Sequence, residues 1–167
     1  MRDKKVLFMT QAAMIAALYV VLTLLANALG LANYAIQVRF SEALTVLPFF
    51  TPAAIPGLTI GCVLSNVLTG CLPLDIAFGS LATLLGAVGT YLLRKYKLAA
   101  PVPPIMANTL IVPFILAYVY QLEGSVPYFM LTVGLGEVIS CGILGMILLG
   151  ALMKYRNVIF KSSPMEI

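Results

Sequence analysis

Long apolar runs dominate the chain, and short breaks at proline, glycine or charged residues separate them. The runs do not alternate between apolar and polar positions, so they are typical of membrane-spanning helices and not of β-barrel strands. We therefore predict an all-α, polytopic membrane protein with one integral membrane domain over residues 1–167. Its six predicted transmembrane helices are 6–29, 41–50, 53–68, 75–93, 102–122 and 128–153.

The second and third of these helices are short. Pro48, Pro52 and Pro56 interrupt the region, and proline breaks or kinks a helix because it lacks the backbone N–H. This pattern fits two tilted helices joined at Pro52. It also fits one hairpin that dips into the membrane and returns. Either arrangement brings the chain back to the face it left, and the sequence leaves open whether these helices fully span.

Composition agrees with this fold, because 62% of the 167 residues are hydrophobic and only 10% are charged. Six spans of about 20 residues use roughly 120 residues. The remainder is too short for a separate soluble domain.

The net charge of +4 raises the possibility of a nucleic-acid partner, but the basic residues form short clusters at the edges of apolar runs. If the chain crosses the membrane six times, three of these clusters lie on the same face of the membrane. The positive-inside rule makes that face cytoplasmic, with both termini on it and no nucleic-acid partner. The residues in these clusters are Arg2, Lys4, Lys5, Arg94, Lys95, Lys97, Lys154, Arg156 and Lys161.

The N-terminus imitates a secretory signal, since an apolar run follows basic residues and Ala26-Asn27-Ala28 resembles a cleavage site. The run from Val6 to Leu25 is long enough to span a bilayer. We expect it to remain as the first helix.

Arg39 and Glu42 lie in the predicted outer connection between the first two helices. Ser41 is a candidate helix cap, with Glu42 near the positive end of the helix dipole. A surface ion pair with a helix cap and the rim of a ligand site are both consistent with this pattern.

Glu137 lies about 13 Å below the outer edge of the last helix, given the rise of an α-helix. A carboxylate at such a depth costs about 2.5–3.5 kcal/mol on insertion scales unless it is paired or hydrated. Glu137 is therefore predicted to bind a ligand, with a buried ion pair to Arg39 as the alternative.

Three further polar residues fall within predicted helices. Asn66 and Asp75 lie toward the outer side, although capping after Pro73 could account for Asp75. Asn108 starts nearer the cytoplasmic side, and Pro113 could change its depth by kinking the fifth helix. Four tyrosines are predicted to form an interfacial belt and, secondarily, to stack on a planar ligand: Tyr34, Tyr118, Tyr120 and Tyr128.

Ala12, Ala13, Ala16 and Ala17 form two overlapping pairs of small residues four positions apart in the first helix. Small residues at this spacing let another helix approach closely. The partner helix could belong to the same chain or to a separate membrane protein.

The sequence contains no nucleotide-binding glycine loop, no nucleophile paired with a base and no His. Cys62 and Cys141 lie inside predicted spans and Cys71 lies between two of them, all without metal-ligand spacing, and we interpret the three as packing residues. We therefore expect no metal, no cofactor and no enzymatic activity.

Three segments carry a resemblance to a known family: residues 36–57 (IQVRFSEALTVLPFFTPAAIPG), 74–85 (LDIAFGSLATLL) and 131–137 (LTVGLGE). They resemble the QueT family, the queuosine-precursor S components of energy-coupling factor (ECF) transporters. The resemblance implies an S-component fold with an outward-facing pocket, and a substrate-binding subunit whose first-helix alanines meet a transmembrane coupling protein. It also implies that separate cytoplasmic ATPases hydrolyse ATP.

The implied ligand is a 7-deazaguanine base, which in its aminomethyl form carries an ammonium group. Glu137 suits the donors of the guanine-like edge, and Glu42 or Asp75 suits the ammonium. Arg39, Asn66 and Asn108 complete the predicted binding set. An S component for another vitamin, an integral-membrane enzyme and a purely structural protein are the alternatives, and the sequence does not decide whether the coupling module is dedicated or shared.

Overall fold

The computed structural model describes residues 2–31 and 38–159, which form six principal helices and one short 3₁₀ turn at Lys97–Ala99. The predicted six-helix fold is confirmed, with shifts of a few residues at most boundaries. Lys161 and Tyr34, named above, lie outside the described residues. The helices are α1 Arg2–Ala28, α2 Phe40–Phe49, α3 Ala54–Leu68, α4 Pro73–Leu92, α5 Val102–Phe114 continued by Ile115–Val119, and α6, which comprises Val126–Glu137, Val138–Leu144 and Gly145–Ile159.

Within the described residues, four helical stretches are long and apolar enough to cross a membrane: Asp3–Ala28, Pro73–Leu92, Lys97–Val119 and Val126–Arg156. The helices α2 and α3 are shorter. At the rises of 3₁₀ and α-helices they extend about 20 and 22 Å, less than the hydrocarbon core of about 30 Å. The chain is thus a polytopic membrane protein in which two of the six helices are short.

The short helix α2 occupies the middle of the bundle. It is a 3₁₀ helix that contains Pro48, whose missing N–H could not serve an α-helical hydrogen bond. Its Leu44, Val46 and Leu47 are buried, and it contacts α1, α3, α4 and α6. Its first turn carries Ser41 and Glu42, so the enclosed position of α2 also buries these polar groups.

Glycines bring α1 and α3 into close contact. A Cβ placed on Gly57 would lie 2.7 Å from the Ala12 carbonyl oxygen, and one on Gly61 would lie 2.7 Å from Tyr19 Cβ. Both contacts advance in the same direction along the two helices, so α1 and α3 are parallel. The predicted small-residue contact therefore exists within the chain.

The direction of the other helices follows from similar contacts. Gly86 packs on Pro104 and Gly89 on Pro103, so α4 and α5 are antiparallel. The bundle therefore has two ends. The basic end contains residues 2–5, 93–97 and 154–156. The pocket end contains the turns after α1 and α3 and the segment 120–125.

Two glycine turns shape the pocket end. Gly30 and Gly70 have φ angles of 74° and 75° and follow α1 and α3. Each turn has the hydrogen-bond pattern of a Schellman cap, as in Cys71 N to Asn66 O at 2.9 Å. Glycine adopts this left-handed backbone without strain, and the chain leaves each helix directly beside the cavity described below.

We predict that Gly57→Ala destabilises the protein although alanine is the better helix former by about 0.5–1 kcal/mol. The new methyl group would collide with the Ala12 carbonyl oxygen and separate α1 from α3. Thermal unfolding in detergent should show a lower midpoint for this variant. Gly150→Ala is the matched control, because no atom lies within 4 Å of that Cβ position. An unchanged midpoint for Gly57→Ala would contradict the close helix contact.

Candidate ligand-binding site

A wide cavity of about 340 Å³ opens between α1, α3, α4 and α5 at the pocket end. Its apolar walls include Ala26, Val112 and Leu116. Several hydrogen-bonding side chains also line it. The polar residues that line it are Thr23, Asn27, Arg39, Asn66, Thr69, Asp75 and Tyr120.

Asp75 and Asn66 are the buried polar residues of the wide cavity, at 8% and 4% exposure. Asp75 Oδ2 accepts a hydrogen bond from the Tyr120 hydroxyl at 2.8 Å, and that hydroxyl also accepts from Leu72 N at 3.3 Å. The N-cap of α4 is Leu72 and makes no side-chain cap bond. Asp75 therefore binds Tyr120 instead of capping α4.

The neighbourhood of Asp75 also affects Tyr120. Partial burial and the hydrogen bond to the Asp75 carboxylate raise the pKa of the Tyr120 phenol. The phenol thus stays protonated at neutral pH and can donate to Asp75. The Asn66 amide lies nearby, since its Nδ2 and Asp75 Oδ1 are each 3.4 Å from the Cβ position of Gly79.

Glu42 lies deeper and is only 2% exposed. Its Oε1 accepts a hydrogen bond from the Tyr19 hydroxyl at 2.5 Å, and its Oε2 lies 3.5 Å from Asn108 Nδ2. Ser41 lies inside α2 and its hydroxyl accepts a hydrogen bond from Thr23 at 2.8 Å. The helix therefore has no Ser41 side-chain cap, and the prediction that Ser41 caps it is wrong.

Glu137 is also buried, at 8% exposure. Its Oε2 accepts a hydrogen bond from Cys141 Sγ at 3.1 Å, and that sulfur is 3.3 Å from Thr45 Oγ1. Ligand atoms of Glu42, Glu137 and Cys141 lie within 4.8 Å of one another. Two carboxylates and a thiol could hold a metal ion, although Tyr19 and Thr45 already engage two of these three side chains.

A small cavity of about 20 Å³ adjoins Glu137. Arg39, Asn108, Val112, Val133 and Glu137 line it. Arg39 and Val112 also line the wide cavity, so the two spaces adjoin each other at these residues. Five of the six residues of the predicted binding set thus line these two cavities, and the sixth, Glu42, contacts Asn108. Their contact with a ligand stays a prediction.

The sequence left a buried ion pair between Glu137 and Arg39 as the alternative to a ligand site. Among the described residues, no ion pair of 4.0 Å or less joins these two side chains, although both line the small cavity. Arg39 is partly exposed and its backbone N–H donates to Ser140 Oγ at 3.1 Å. The Arg39 side chain therefore faces the cavities without a close bond to Glu137.

Sequence reasoning missed Tyr19 and the polar contacts of Cys141. Cys141 follows Glu137 by four residues, which places both on one helix face and was an available signal. The only sequence signal for Tyr19 was a phenol in the middle of an apolar helix. Tyr120 belongs to the wide cavity as well as to the predicted interfacial belt. The interpretation of Cys141 as a simple packing residue is therefore wrong.

The four alanines of α1 divide into two pairs. Ala12 and Ala16 are 9% and 6% exposed and pack against α3. Ala13 and Ala17 are exposed. The four alanines line an apolar groove of about 530 Å³ together with α3 residues such as Ile60. Ala12 and Ala16 therefore form an internal helix contact, whereas Ala13 and Ala17 face an open surface.

Two comparisons with known proteins point to the same family. A family described as QueT transporter matches residues 9–154. A protein of Lactococcus lactis subsp. cremoris (strain MG1363), named queuosine precursor transporter QueT, is 35% identical over 98 residues. The aligned region covers 58% of this chain and 57% of that relative. No solved structure matches the chain.

Proposed function

The chain belongs to the QueT transporter family, and on that premise we propose that it is the substrate-binding S component of an ECF-type importer. The proposed substrate is a queuosine precursor with a 7-deazaguanine base. The relative from Lactococcus lactis is named for a queuosine precursor, which supports this choice of substrate. The family name also favours a transporter over an enzyme.

The wide cavity is the observation that carries the proposal. Its volume of about 340 Å³ falls within the range of about 300–1,000 Å³ of small-molecule sites, and it combines apolar walls with a few polar groups. Asp75 and Asn66 supply acceptors and donors that suit the edge of a guanine-like base. A purely structural membrane protein would need no such cavity.

Transport requires partners on this proposal, because the sequence has no nucleotide-binding loop. A transmembrane coupling protein and cytoplasmic ATPases would supply the driving force. The open groove at Ala13 and Ala17 is the proposed docking surface for the coupling protein, since small residues admit a close helix contact. Ala12 and Ala16 also line this groove, on the side where α1 packs against α3.

The proposed orientation places the basic end in the cytoplasm. Lys4, Lys5, Arg94, Lys95 and Lys154 belong to this end, and basic residues favour the cytoplasmic side. The pocket end then faces outward, where a substrate-capturing subunit needs its opening. An S component for another small vitamin is the second candidate, because the same bundle would serve it with different pocket contacts.

We predict that the purified protein binds a 7-deazaguanine precursor more tightly than riboflavin, thiamine or biotin. A margin of at least about tenfold in Kd, or about 1.4 kcal/mol, is expected from base-edge hydrogen bonds that the vitamins cannot reproduce. Isothermal titration in detergent measures it. Tighter binding of another vitamin would favour the second candidate, and no binding of any compound would contradict a substrate-binding role.

We also predict that Ala13→Trp and Ala17→Trp abolish uptake while ligand binding by the purified protein stays within about twofold of the parent. The indole would block a close helix contact on the open groove without reaching the cavities. Uptake of labelled precursor is measured in cells that also contain a coupling protein and its ATPases. Met14→Trp is the matched control, because Met14 is 60% exposed on the same helix and lines a different groove.

Retained uptake by both alanine variants would exclude this docking surface. Loss of ligand binding by either purified variant would show instead that Ala13 or Ala17 is needed for internal packing.

A further inference from the structure

The two cavities differ greatly in size. The wide cavity of about 340 Å³ admits a planar ring system. The small cavity of about 20 Å³ holds about one water-sized group, since one water needs about 10–15 Å³ of such volume. A ligand that occupies both must therefore place its ring in the wide cavity and only a small terminal group beside Glu137.

The positions of the lining residues along α5 support the same placement of ring and terminal group. Tyr120, Leu116 and Val112 line the wide cavity along successive turns of the α5 region. Val112 and Asn108 line the small cavity one turn further from the pocket end. A ligand entering from the pocket end thus meets Asp75 and Tyr120 before it reaches Glu137.

Charge indicates the nature of the terminal group. Glu137 lines the small cavity and Asp75 lines the wide one, and the buried Glu42 contacts Asn108, which also lines the small cavity. Among the described residues, Arg39 is the cationic side chain that lines these two cavities. Two carboxylates thus line the cavities with one guanidinium, and a third lies next to them. Buried carboxylates are costly unless a positive group or strong donors accompany them.

The present partners of Glu137 leave room for such a group. The Cys141 thiol that donates to Glu137 is a weak donor, and a carboxylate has about four acceptor positions. Glu42, in contrast, already accepts from the Tyr19 phenol. A small cation placed in the small cavity would gain its strongest interaction from Glu137.

We propose, on the basis of the proposed function, that the cationic arm of the ligand occupies the small cavity at Glu137 while Asp75 and Asn66 bind the base edge. Glu137 is then the residue that selects an aminomethyl 7-deazaguanine over a nitrile analogue. This orientation is the reverse of the one that the sequence favoured, because the small cavity has no space for a ring.

The test compares three ligands: the aminomethyl compound, the nitrile compound and unsubstituted 7-deazaguanine. The parent protein should bind the aminomethyl compound most tightly. Glu137→Gln should weaken that compound about 10- to 100-fold, as expected for loss of a charge-assisted hydrogen bond, and change the other two by about twofold or less. Asp75→Asn should weaken all three by about tenfold or more. Glu123→Gln is the matched control, because Glu123 is exposed at the same end of the bundle and should leave all three affinities unchanged.

Three results would overturn the orientation: equal weakening of all three ligands by Glu137→Gln, selective weakening of the aminomethyl compound by Asp75→Asn, or a parent protein that does not prefer the aminomethyl compound. The last result needs no variant and so does not depend on how well a variant folds. Within each variant, the ratio of two affinities also reports only on folded molecules. A parent protein that binds none of the three ligands would instead contradict the proposed function itself.

Discussion

Carboxylates buried inside an apolar bundle set the main constraint on this structure. An acid within a membrane-spanning helix costs several kcal/mol unless donors or charges accompany it. Glu42 meets the Tyr19 phenol, Asp75 meets the Tyr120 phenol and Glu137 meets the Cys141 thiol. Each acid thus has a donor from a different helix or from the next turn of its own helix.

Close helix packing keeps this polar interior in place. The Gly57 and Gly61 contacts hold α1 against α3, and α1 carries Tyr19 toward Glu42. The short helix α2 brings Glu42 into the middle of the bundle because its other face is buried among apolar residues such as Leu44 and Leu47. The same helix contacts therefore support both the stability of the bundle and the geometry of its polar interior.

The sequence predicted much of the fold, because apolar runs and proline breaks define membrane helices directly. It also found the acids, since a charge inside an apolar run is conspicuous by its cost. It could not find that Tyr19 binds Glu42, because that pairing joins residues 23 positions apart. Nor could it assign Ala12 and Ala16 to the inside and Ala13 and Ala17 to the outside. The sizes of the two cavities depend on side-chain packing and have no signature in the sequence.

Protection of Cys71 tests the central claim most directly, namely that the polar interior is the ligand pocket. Cys71 is partly exposed and lines the wide cavity, whereas Cys62 and Cys141 are buried. A small maleimide should therefore modify Cys71 first, and saturating 7-deazaguanine precursor should slow that modification about tenfold or more, as expected when occupancy exceeds about 90%. If the precursor binds and the rate of Cys71 modification does not change, the ligand lies elsewhere and the account is contradicted.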